Sequence, residues 1–140
     1  MATKTAAAAQ TTIQPKGLRV GLVAVTATYS ISAAGQSLSS GDVIQMIKVP
    51  AGATVVSLQV SSNHSGIAGF TVGDGLDDDR YVSLISCSVA MLPVRVNTVS
   101  APYTYSTDDT IDIDITGVTV STLGGNFFMT AIFSMDTGGL

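Results

Sequence analysis

Beyond residue 17 the chain resolves into short runs rich in Val, Ile and Thr, separated by Gly, Ser, Asn and Asp at spacings near a dozen residues. That rhythm predicts β-strands, because a strand turns alternate side chains to opposite faces. In LRVGLVAVTATYSI (18–31), Leu18, Val20, Leu22 and Ala24 share one face and Val23, Val25 and Ala27 the other. With both faces apolar, this strand is expected to be central or covered on each side. DVIQMIKVP (42–50) sets Val43, Gln45, Ile47 and Val49 against Ile44, Met46 and Lys48, and Pro50 ends it because proline cannot donate to a ladder. PAGA (50–53) is a turn into TVVSLQVSS (54–62), with Val56, Leu58 and Val60 on one side, and the two strands read as a hairpin.

Further strands are expected at AGFTVG (68–73), RYVSLISCSV (80–89), TIDIDITG (110–117) and the very apolar NFFMTAIFSMD (126–136), with LPVRVNTVS (92–100) a weaker strand or extended linker and APYTY (101–105) carrying two tyrosines at alternate positions. No segment combines a helical period with a helix start and stop. About eight strands on one chain of 140 residues predict an all-β fold, an antiparallel β-sandwich of jelly-roll type. The expected organisation is an extended N-terminal arm over 1–17 and a single β-sandwich domain over 18–140.

Composition narrows the function. Charged residues make up 11% of the chain, against about 25% in ordinary soluble domains, while 46% are hydrophobic. All ten acids are aspartate, and six basic residues leave a net charge of −4, without the basic stripe that nucleic-acid binding requires. No apolar run approaches the length of a membrane helix, and the start of the chain lacks the apolar core of a signal peptide. The surplus apolar surface is therefore expected to meet protein, not nucleic acid or membrane. Cys87 is the single cysteine, set in an apolar run, and is read as a buried structural thiol.

Four of the ten aspartates fall in GDGLDDDR (73–80). The spacing is not that of an EF-hand and no glutamate is present. An irregular calcium loop would draw on Asp74, Asp77 and Asp79. Without further support the octet reads as a solvated turn, with Gly73 and Gly75 at positive φ and the aspartates bonding local amides, so no metal site is assigned. Asp112 and Asp114 share one face of a strand about 7 Å apart, with Ile111, Ile113 and Ile115 on the other. Paired carboxylates are the glycosidase pattern, but that chemistry also needs aromatic sugar platforms and a buried carboxyl, and a solvent-facing strand accounts for the alternation. His64, the single histidine, has no nucleophile elbow beside it and reads as a loop residue. No catalytic residue, cofactor or phosphate loop is identified, and an enzyme is not expected.

SGDVIQMIKVPAGATVVSLQVSS, FTVGDGLDDDRYVS, YTYSTDDTIDIDITG and the closing FFMTAIFSMD, spanning roughly residues 40–136, resemble the decoration or cement proteins of tailed-bacteriophage heads, that of a Bordetella phage included. The resemblance implies a jelly-roll subunit on the outer capsid surface of the virion, made in the host cytoplasm. It also implies a homodimer or homotrimer that bridges neighbouring subunits of its partner, the major capsid protein. A receptor- or glycan-binding sandwich of a tail fibre or baseplate is the alternative, for which Tyr81, Tyr103 and Tyr105 are the candidate aromatic platform.

Overall fold

The computed structural model describes residues 2–6, 21–31, 38–64, 66–86, 96–97, 102–119 and 124–135. Ten strands lie among them: β1 (Thr3–Thr5), β2 (Gly21–Ser30), β3 (Val43–Val49), β4 (Ala53–Ser62), β5 (Ile67–Asp74), β6 (Val82–Ser86), β7 (Val96–Asn97), β8 (Tyr103–Thr104), β9 (Asp109–Val118) and β10 (Asn126–Met135). They form two sheets. One has the order β1-β3-β9-β5-β6; the other has the order β2-β10-β4-β7, with β8 also paired to β4.

The pairing is nested. β5 pairs with β6, β4 with β7 and β8, β3 with β9, and β2 with β10, all antiparallel. A long two-stranded ribbon folded over so that successive pairs alternate between two layers gives this arrangement, the jelly roll. Each layer is then closed by a central contact, β10 with β4 and β9 with β5.

The alternation of side chains places the core between the layers. Ile44, Ile47, Phe70, Val72, Ile111, Ile113 and Ile115 from one sheet meet Val55, Leu58, Val60, Phe127, Met129, Ala131 and Phe133 from the other, each at most 1% exposed. Burying a side chain of this size contributes about 1.5–3 kcal/mol, and these residues hold the layers together. His64 joins them. Its ring is buried, 5.5 Å from Phe127 and 6.2 Å from Phe70, and burial lowers its pKa. The expected loop histidine is in a loop, but its ring belongs to the core.

Two further expectations are corrected. β3 and β4 do not pair as a hairpin: PAGA is a corner that carries the chain from one sheet to the other, held by Gly52 N donating to Tyr105 O (2.7 Å) and Tyr105 N to Ala53 O (2.9 Å). Turn residues specify a reversal of direction, which a corner and a hairpin share. β2, expected to be central or covered on both sides, is an edge strand among the described residues; Val23, Val25, Ala27 and Tyr29 face inward, whereas Leu22, Ala24, Thr26 and Thr28 are exposed, Leu22 at 71%.

Part of the stretch read as an arm is a strand of the domain. β1 pairs parallel to β3, Ala2 N donates to Asp42 Oδ1 (2.9 Å), Ala6 N donates to Gln45 O (2.8 Å), and Ala6 is buried. Residues 7–17 and Cys87 lie outside the described residues. Deleting residues 1–6 removes this ladder and its buried alanine, and is expected to lower unfolding free energy by about 1–3 kcal/mol, measured by denaturant titration; an unchanged midpoint would show that β1 contributes nothing to the folded domain.

Candidate functional site

The octet that concentrates the acids connects β5 to β6 and folds back over the outer face of the first sheet. Its anchor is Asp74. In β5, Phe70, Val72 and Asp74 alternate on the core-facing side, so the carboxylate points into the end of the sandwich and is 4% exposed. Oδ1 accepts from Leu76 N and Asp77 N, both at 3.1 Å, which closes the turn locally. Oδ2 accepts from Arg80 Nε and from the Tyr105 hydroxyl at 3.0 Å. Because Tyr105 gives its proton to the carboxylate, the 2.7 Å contact between Tyr81 and Tyr105 is made with Tyr81 donating. Burial raises the pKa of both phenols, that of Tyr81 to about 12, and keeps them neutral donors. Arg80 is flattened against Tyr103, 3.8 Å from the ring centroid.

Gly73 lets the loop lie down. A Cβ there would overlap Asp77 O and the backbone of Asp78, so the strand and the returning loop touch backbone to backbone. Neither Gly73 nor Gly75 has positive φ, contrary to the turn expected from sequence. Close approach, not left-handed geometry, is what the Gly73 position demands.

Beneath the loop is a pocket of about 480 Å³ lined by Thr3, Val43, Gln45, Leu76 and the aspartates of the loop and of β9. Gln45 pairs with Asp112 across β3 and β9, and Gly73 and Thr71 of β5 pair with Asp112 and Asp114. These residues share the outer face of the sheet, opposite Ile113 and Val72. Asp112 is only 4% exposed, and its Oδ1 has no hydrogen-bond partner within the protein. Burial, reinforced by Asp114, Asp109 and Asp74 and partly offset by a hydrogen bond with Thr110, pushes its pKa up to about 7. Burial and then repulsion from Asp78 push Asp114 up to about 6. The solvent-facing strand expected here is therefore corrected: alternation assigns Asp112 and Asp114 to the outer face, but the acidic loop folds over part of that face.

Of the three aspartates singled out for a calcium loop, the fold sets Asp74 apart from Asp77 and Asp79. Asp74 is taken up by Arg80, Tyr105 and two amides. Asp77, Asp78 and Asp79 bring carboxylate oxygens within 4.8 Å of one another at the loop tip, where a hydrogen bond with Asp77 raises the Asp79 pKa. Sequence reading missed the proximity of Asp78 to Asp114. No local signal carries it, because it depends on β9 lying beside β5. Tyr81 and Tyr105 are buried and Tyr103 is half-buried under Arg80, so they do not form an exposed platform, and no aromatic ring lines the pocket where a sugar would stack.

No protein-family model matches the sequence, and no curated protein is similar to it in sequence. Similarity emerges in three dimensions. A chain of the capsid of Ralstonia phage GP4 superposes with a TM-score of 0.71 at 11% identity, covering 97% of this chain and 99% of that one. The fold is one found in phage capsids. A chain of the Cyanophage Pam1 capsid asymmetric unit matches with a TM-score of 0.67 at 16% identity over 91% of this chain and 96% of that one. A chain of the acid-stable capsid of Helicobacter pylori bacteriophage KHP30 gives 0.59 at 13% identity over 83% and 90%.

Replacing Asp74 by Asn keeps the shape but removes the charge that faces Arg80 and leaves a buried amide with surplus donors. We expect a loss of about 3–5 kcal/mol in denaturant unfolding, whereas Asp79→Asn at the exposed tip changes stability little. Asp112 has the opposite sign. Its folded pKa is raised above the ordinary 3.8, so the stability it contributes is complete below about pH 4 and lost as pH rises to 7. Asp112→Asn is therefore expected to raise the melting temperature at pH 8 in chelator and to lose that advantage towards pH 4, read from melting curves across this range.

Proposed function

We propose that the protein is a structural virion protein that binds the outer surface of a phage capsid and stabilises it by bridging neighbouring major capsid protein subunits, itself a small homo-oligomer. The observation that carries this reading is the match to the GP4 capsid chain over nearly the whole of both chains, which leaves little of the protein outside the shared fold. The KHP30 and Pam1 matches support it with the same architecture at equally low identity.

The second sheet supplies a surface suited to such a role. Its outer face brings Leu22, Ala24, Thr26 and Thr28 of β2 beside Phe128, Thr130, Ile132 and Ser134 of β10, and then Ser57, Gln59 and Ser61 of β4. None of these residues is charged, although an antiparallel sheet facing water usually alternates apolar-in with polar, often charged, residues outside. Charge depletion of this kind belongs to the core of protein interfaces. The low charge of the whole chain is thus partly concentrated on one face. At about 25 cal/mol per Å² of buried apolar surface, several hundred Å² per contact gives a gross gain of several kcal/mol, reduced by the cost of association. Repetition over a symmetric shell multiplies the effect against outward pressure from packed DNA.

Quantitative mass spectrometry of purified virions tests the assignment through the copy number relative to the major capsid protein. A ratio of one to one, or a simple fraction of it, is expected. A few dozen copies or fewer per particle would move the protein to the tail or baseplate, and absence from the virion would overturn the reading.

A further inference from the structure

The pocket under the acidic loop has a composition that a folded protein does not tolerate without compensation. Asp77, Asp78, Asp112 and Asp114 all line it, together with Asp74, whose own carboxylate is occupied by Arg80 and Tyr105. No lysine, arginine or histidine is part of the lining. The two ion pairs among the described residues are both made by Arg80, towards Asp74 and, at 3.9 Å, Asp77. Asp112 is nine-tenths buried and lines this space, and one of its oxygens has no hydrogen-bond donor from the protein. Leaving a carboxylate oxygen buried and unpaired is costly unless a positive charge or a donor reaches it.

The available ligands are all oxygens. Besides the carboxylates, the lining offers the Thr3 hydroxyl and the Gln45 amide, and Thr71, the cross-strand partner of Asp114, holds a second buried and unpaired oxygen on the same face of the sheet. Hard oxygen donors without nitrogen or sulfur select alkaline-earth cations, and calcium accepts six to eight oxygens in irregular geometry, water among them. A volume of about 480 Å³ accommodates an ion that keeps several waters, each of which occupies about 30 Å³. The two walls are also held in place. Asp112 and Asp114 stand on β9 in the middle of its sheet, and Asp77 and Asp78 stand on a loop fastened by Asp74.

We propose that this pocket binds one hydrated divalent cation of the calcium type, held largely through its water shell between Asp112 and Asp114 on β9 and the carboxylates of Asp77 and Asp78 above them. The cation neutralises the buried carboxylate and ties the loop to the sheet. The site shares Asp77 and Asp78 with the exposed cluster at the loop tip, but it requires Asp112 and does not use Asp79.

The test is a calcium titration of the full-length protein after chelator treatment, followed by melting temperature and by isothermal titration calorimetry. One Ca²⁺ per chain is expected, with an affinity in the range of about 10⁻⁴ to 10⁻³ M typical of sites that work outside cells, and a melting temperature that rises with calcium. Asp112→Asn is expected to melt higher than wild type in chelator and to weaken calcium binding at least about tenfold. Asp114→Asn provides the same comparison should Asp112→Asn fail to fold. Asp79→Asn is expected to bind as wild type does. Absence of a calcium response in the wild-type protein overturns the proposal, as does a response that persists in Asp112→Asn and Asp114→Asn or that Asp79→Asn abolishes.

Discussion

The acidic end of the molecule depends on the carboxylate of Asp74. Placed by strand alternation where an apolar side chain would otherwise close the core, it collects two loop amides, a guanidinium and a phenol. Each of those partners fixes something else. The amides set the path of residues 75–77, Arg80 aligns the start of β6 and covers Tyr103, and Tyr105 ties in the segment that follows β8 and the corner between β3 and β4. Charge-assisted bonds in a setting that excludes water are strong when complete and costly when one member is missing. The loop, the corner and the end of the core thus share one electrostatic centre.

That arrangement explains how several carboxylates can be kept close together. Asp74 is compensated within the protein, and its compensation consumes the single arginine of the region. Asp112 and Asp114 are held near it by β9 without an ion pair to a basic side chain among the described residues, so their burial opposes ionisation. Neighbouring acids in different electrostatic situations result: Asp74, whose carboxylate is bonded from several sides, and Asp112 and Asp114, whose ionised forms burial disfavours.

Much of this was legible in the sequence. Period-two alternation located nearly every long strand, and the alternation of Ile111, Ile113 and Ile115 with Asp112 and Asp114 assigned both faces of β9 correctly. The features that escaped are those that depend on what lies opposite. Nothing in PAGA says whether the strands on either side bond to each other or part into different sheets, and nothing in residues 18–31 says that one of two apolar faces stays open. The burial of Asp112 was hidden because the loop that lies over its face of the sheet follows β5, far away in the chain. Gly73 was noticed, but for its conformational freedom, when its function is to leave room for another backbone.

The nested pairing has a consequence for the order in which the surface comes into being. β10 is the last of the described strands, yet it lies between β2 and β4, so the uncharged outer face of the second sheet is incomplete until residues 126–135 have emerged from the ribosome. A nascent chain carries β2 and β4 without the strand that joins them. That uncharged face therefore forms only when β10 inserts between two strands made long before it, and the topology itself delays its completion during synthesis.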